Sequence, residues 1–221
     1  MTKYYGITQF LSIVNTVILT EDCSYFTSIQ LIYKNFINTL LITFCFSMCN
    51  PFKKLIKAIP NSNYLDLENH LIFWGHLVIC SLGLIGSYVY YANSDDFEPN
   101  VDHRYCHFEE GWYGLTKSST ANFIAANITY VLLSLVLYKS KPWKQPIWNN
   151  KPLFAIIIIN AMLIILISLF NEHMSLLDIQ PIGTTSVLII WLIILLTGAL
   201  CIAYKLILEK IVFRRREINR S

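Results

Sequence analysis

The chain has 221 residues, of which 55% are hydrophobic and 14% charged, with a net charge of +3 and a mean hydropathy of +0.49. That balance excludes an ordinary soluble domain, and lipid-facing loops, rather than nucleic-acid binding, explain the small positive charge. The apolar residues are gathered into runs long enough for a bilayer, which a helix of about 20 residues crosses.

Taken in chain order, the runs predict six transmembrane helices over residues 4–20, 26–49, 68–92, 118–138, 153–170 and 185–208. The first two are less purely apolar than the rest. Hydrocarbon offers no water to unpaired amides, so each run must be a helix. Stretches such as FAIIIINAMLIILISLF at 154–170 are too continuous for the alternation of an outer-membrane barrel. The expected fold class is therefore all-α, a polytopic membrane domain filling 1–221.

The first run carries Tyr5, Gln9, Ser12, Asn15 and Thr16. Tyr5, Gln9 and either Ser12 or Thr16 recur at three- or four-residue steps and so share one helix face. Such a stripe faces protein or water, which leaves interhelical hydrogen bonding and a transport path as the two readings. The second run holds Gln30, Lys34, Asn35, Asn38 and Thr39, with Gln30, Lys34 and Asn38 on one face. Lys34 lies about eight residues inside that run. It either snorkels to the interface or is paired inside the bundle, and an ionisable group at that depth is a functional candidate. Tyr5, Gln9, Lys34, Asn35 and Asn38 are thus the candidate substrate-path residues. His76 and Asn127 are lone polar groups in the third and fourth runs and read as satisfied structural residues. The NIT triplet at Asn127 lies in an apolar run and is no glycosylation site.

Between the fourth and fifth runs stands YKSKPWKQPIWNNKPLF, residues 138–154. Pro142, Pro146 and Pro152 stop either helix from running on, and Trp143 and Trp148 suit the headgroup layer. Its lysines share one side with Lys53, Lys54, Lys57 and the basic tail at 214–216. The acidic residues of 21–22, 95–110, 172 and 178 gather on the other side. The positive-inside bias places both termini in the cytosol. No signal peptide is evident. Cys45, Cys49, Cys80 and Cys201 fall within runs and read as small apolar groups, while Cys23 and Cys106 lie in loops where a bridge is allowed without being required. The segment 93–117, with His103, Cys106 and His107, shows no metal-ligand spacing and reads as an acidic solvated loop. No phosphate-binding loop, HExxH or GxSxG motif is present, so no catalytic residue and no metal or cofactor site is assigned to this chain.

Three stretches carry a family resemblance: YYGITQFLS at 4–12, CNPFKKLIKAIPNSNYL at 49–65 and SKPWKQPIWNN at 140–150. Together they resemble the carboxy-terminal membrane region of the type-five P-type ATPases, B subgroup. The third is similar to that family's Gly-Lys-Pro-aromatic-Arg-Lys-Pro-Ile-Tyr-Thr-Asn connector between helices eight and nine. The resemblance implies that the six runs correspond to helices five to ten of the transport domain. It implies a parent that binds ATP and Mg, forms an aspartyl-phosphate, and moves cations or polyamines across endosomal, lysosomal or vacuolar membranes. The partners it implies are the lipid bilayer, the transported cation or polyamine, and the amino-terminal part of the same pump. Tyr5 and Gln9 match polar positions of the family's fifth helix. Asn35, beside Lys34, stands where its sixth helix is acidic, a departure that bears on polyamine transport. The phosphorylated segment and the nucleotide, phosphorylation and actuator domains would all precede residue 1, so the chain is expected to be a fragment. The alternative is a self-contained six-helix membrane protein, such as a channel subunit or scaffold, without ATPase activity.

Overall fold

Each apolar run folds into a helix because only intra-segment hydrogen bonds can satisfy its backbone in hydrocarbon. The computed structural model describes residues 2–51, 67–97, 116–138, 144–170 and 179–218, without the side chains of 212–218. Among them the helices are α1 (Thr2–Glu21), α2 (Ser28–Ser47), α3 (Leu67–Ala92), α4 (Lys117–Leu137), α5 (Lys151–Leu169) and α6 (Thr184–Ile218). Helices α2 to α6 are long and apolar enough to cross a membrane. Helix α1 has the length, at 20 residues, but falls short in apolar content because hydroxyl and amide side chains interrupt it. The fold is all-α and polytopic.

Local chemistry fixes the helix ends. Thr27 caps α2 in a reciprocal capping box with Gln30. Thr116 caps α4 through the Ser119 amide. Asn150 caps α5, whose first turn takes Pro152 where no amide hydrogen is needed. At the end of α1, the Ser24 amide reaches back to the Leu19 carbonyl at 2.9 Å. That turn places Cys23 at φ 51, a left-handed position usually given to glycine. Cys23 is disulfide-bonded, whereas Cys45, Cys49, Cys80 and Cys201 are free thiols. Cys106, with the rest of the 98–115 loop, lies outside the described residues, as do 52–66 and most of the charged loop residues that set the expected orientation.

Helix α4 is the axis, in contact with every other helix. It is buried almost all round, including Ser118, Ser119, Thr120, Asn122, Asn127, Thr129 and Ser134. Most of these hydroxyls and Asn127 return a hydrogen bond to their own helix, as Thr129 does to Ala125 at 2.8 Å. That local closure lets a polar helix sit in an apolar bundle. Helix α3 packs most extensively on α6. Small residues bring the two close: Gly75 lies under the Tyr204 ring and Gly83 under Thr197. Between them the Cys80 and Cys201 sulfurs lie 3.7 Å apart.

The connector before α5 docks onto the end of α2. The Gln145 amide donates to the Asn50 carbonyl at 3.3 Å, Pro51 and Lys144 form a short antiparallel bridge, and the Asn150 amide donates to the Cys45 carbonyl at 2.9 Å. Lys144 reaches the Phe46 carbonyl at 3.5 Å, where a cation suits the negative end of a helix. Trp148 is exposed, as a headgroup residue would be. Residues 139–143, with Trp143, lie outside the described region.

Two expectations follow from the α3–α6 contact. A Cβ on Gly83 would come within 2.6 Å of Thr197 Cγ2, so Gly83→Val should destabilise the helix pair by about 1–3 kcal/mol. One turn along α3, a Cβ on Gly86 meets nothing nearer than Ile193 Cγ2 at 4.0 Å, so Gly86→Ala should be neutral or raise stability by about 0.4–1 kcal/mol. Thermal unfolding of the two variants in lipid nanodiscs measures the contrast.

At the start of α6, a Cβ on Gly183 would come within 2.8 Å of Asp96 Oδ1. Asp96 also accepts the Ser186 hydroxyl, which joins the loop after α3 to α6. Gly183→Ala should therefore displace Asp96 and match Ser186→Ala in its loss of melting temperature. The double variant should lose little more than either alone, because both act on one contact.

Candidate functional site

The second membrane helix is not regular. Residues Tyr33–Leu41 wind as a π-helix between two short α-helical stretches. Such widened turns leave backbone groups available to side chains and are found mostly at functional positions. Here the Asn38 carbonyl accepts the Tyr4 hydroxyl at 2.6 Å, and the Lys34 carbonyl accepts Thr39 Oγ1 at 3.2 Å. At about 4.4 residues per turn, the wider winding keeps Gln30, Lys34 and Asn38 together on the buried face, each at most 1% exposed.

Around that face α1, α2, α4 and α5 form one polar cluster. The Asn38 amide donates to the Asn127 carbonyl oxygen, and the Asn127 amide donates to the Phe123 carbonyl at 2.8 Å. Tyr130 on α4 reaches the Thr8 carbonyl at 3.4 Å, and Tyr33 reaches Asn160 on α5 at 3.0 Å. Several buried polar atoms have no hydrogen-bond partner: both Asn122 amide atoms, Asn38 Oδ1, Asn160 Nδ2 and Lys34 Nζ. A buried polar group left unmatched costs about 1–3 kcal/mol, so this stretch is costly as packing alone.

The structure divides the candidate residues. Lys34 and Asn38 lie inside the cluster. Tyr5 and Asn35 are exposed and Gln9 is half-buried. Tyr5, Gln9, Ser12 and Thr16 form one flank of α1, and the buried face of Tyr4, Thr8, Leu11 and Asn15 lies beside it. Lys34 neither snorkels nor is paired with a polar group among the described residues: its ammonium is buried over the Phe26 ring, 4.3 Å from the centroid, without a hydrogen-bond partner.

Sequence reasoning passed over part of the cluster. Asn127 reads as a lone polar residue, yet its partner is the candidate Asn38. Asn160, the single amide in the apolar run of α5, was a visible signal, and so was the density of polar residues along α4. Nothing in the spacing marks Tyr4 or Tyr130, because a tyrosine in a membrane run is as easily an interface anchor. His76 is fully buried and has one ring nitrogen 2.7 Å from the Ile72 carbonyl, in keeping with a structural role, although its Nε2 has no partner. Among the described residues no group of three or more His, Cys, Asp or Glu could hold a metal ion.

Residues 23–207 match the family described as the carboxy-terminal region of cation-transporting ATPases. Tyr5 and Gln9 precede the matched stretch. The chain is also 23% identical over 177 residues to a Caenorhabditis elegans protein named probable cation-transporting ATPase catp-6. That match covers 78% of this chain and 13% of the relative, so the chain spans only a small part of the length of the protein it resembles. The all-helical membrane fold and the match over most of its length lead to one assignment: the chain belongs to the family of carboxy-terminal membrane regions of cation-transporting P-type ATPases.

Proposed function

We propose that the chain forms the carboxy-terminal membrane part of an ATP-driven cation transporter, and that α1 and α2 supply one wall of its cation path. The observation that carries this reading is the outward polar flank of α1 together with Asn35 on the π-helical turn of α2. Amides and hydroxyls turned out of a membrane bundle require protein or water against them, not lipid. A path lined on one side by this chain and on the other by a preceding part of the pump meets that requirement.

Within such a path Tyr5, Gln9 and Asn35 offer oxygen atoms to a passing cation, while Lys34 and Asn38 lie behind them in the cluster. The described parts of α2, α4 and α5 contain no carboxylate, so these helices offer a cation amides, hydroxyls and rings. A polyamine-like cargo is the finer reading and rests on the resemblance of the 140–150 connector to the type-five, B-subgroup pumps. The same resemblance supports an endosomal, lysosomal or vacuolar membrane, and the lysines of the 139–151 connector support cytosolic termini. ATP and Mg belong to preceding segments of the parent, and no residue of this chain is assigned to them.

The test joins residues 1–221 to the preceding regions of a type-five pump and measures cation-stimulated ATP hydrolysis. Gln9→Leu and Asn35→Leu should each lower stimulation roughly ten- to hundredfold, the loss of one hydrogen bond to a charged group. Melting temperature should be unaffected, because neither side chain is buried. Stimulation by inorganic cations alone would remove the polyamine assignment. Absence of stimulation by any cation would overturn the path.

A further inference from the structure

Lys34 has no place in a ledger of ordinary membrane packing. It is 1% exposed, its ammonium has no hydrogen-bond partner, and it forms no ion pair among the described residues. The acidic residues nearest in the described chain stand at helix ends. Asp22 accepts the Ser118 hydroxyl at 3.0 Å, and Glu21 is exposed. What does face the ammonium is aromatic. Its nitrogen lies 4.3 Å from the centroid of Phe26, which meets Phe123 edge-on at 6.5 Å, and Phe123 meets Tyr33 at 5.6 Å. Asn122, next to Phe123, and Asn38, one turn from Lys34, both carry buried amide oxygens without partners.

Ring faces attract a cation through their quadrupole, and amide oxygens accept from an ammonium's hydrogens. A wall of rings without a carboxylate among the described residues is the chemistry of an organic-cation site rather than of a salt bridge. We propose that Lys34 is a built-in cation, its ammonium filling an aromatic site for a primary ammonium beside α2 and α4, with the open Asn38 and Asn122 oxygens nearby in the chain, and keeping free cations out of it. A flexible four-carbon stem carries that charge, so the site opens when the side chain swings away and closes when it returns. Only this consequence for cargo rests on the transport reading. The occupancy stands on the geometry alone.

Chemical rescue tests the occupancy in the 221-residue chain in lipid nanodiscs, with no transport step involved. Lys34→Ala removes three methylenes and the ammonium, the shape of 1-propylammonium. Added propylammonium should raise the melting temperature of this variant by about 3–6 °C, the shift a tenfold excess over the dissociation constant gives a chain of this size. It should leave the parent chain unchanged, and 1-propanol should leave both unchanged. An equal response to propanol, an equal response of the parent, or no response at all would overturn the proposal. Lys34→Met, which keeps the stem and drops the charge, guards against a variant that does not fold. It should melt below the parent if the rings hold an ammonium. Melting above the parent would mean that the charge is merely stranded, and would overturn the proposal as well. Failure of the ATPase test in a chain that passes this one would remove the path and leave the site.

Discussion

A helix bearing three serines, two asparagines and two threonines can be stable in hydrocarbon only where other protein surrounds it, and that requirement places α4 at the axis. The hydroxyls close onto their own carbonyls, so the helix needs no water. What remains for its neighbours is to match its amides, and Asn127 is matched by Asn38 on α2. The arrangement of α1, α2, α3, α5 and α6 around α4 follows from covering these groups on all sides. The more apolar helices α3, α5 and α6 then leave long rows of exposed Leu, Ile and Val to the lipid.

The same requirement explains why the polar cluster lies where it does. In α2 the π-helical turn frees the Asn38 carbonyl for Tyr4 of α1, while the asparagine side chain serves α4. One residue thereby joins three helices. On the opposite side of the bundle, α3 and α6 meet through glycines and van der Waals contact, with little hydrogen bonding. That division separates a closely packed α3–α6 contact, whose one unmatched side-chain atom among the described residues is His76 Nε2, from a polar cluster with several unmatched groups.

Fold class was legible because six apolar runs leave few alternatives to a helical membrane bundle. The polarity of the first run was legible too, and it is the reason α1 falls short of the others as a membrane-crossing helix. The site was legible only in part. Spacing by four along α2 put Gln30, Lys34 and Asn38 on one face, and burial follows that spacing. Adjacent Lys34 and Asn35 could not be separated without knowing which neighbours α2 meets; one is buried and the other exposed. The pairing of Asn38 with Asn127 is a contact across 89 positions, and no local period encodes it. The carboxy-terminal family was legible in the basic, proline-rich connector, since turn chemistry at a membrane surface depends on residues close in sequence.

That connector also governs which parts of the bundle can move apart. Asn150 binds the Cys45 carbonyl and Tyr33 binds Asn160, so α2 and α5 are riveted at two heights and travel as one plate. Helix α1 meets α2 where Tyr4 touches Asn38 and lies near the Phe46 ring at 5.4 Å. Helix α1 is joined to that pair through the Tyr4 hydroxyl on the Asn38 carbonyl, so a Tyr4→Phe change would cut a tie between the first helix and the plate.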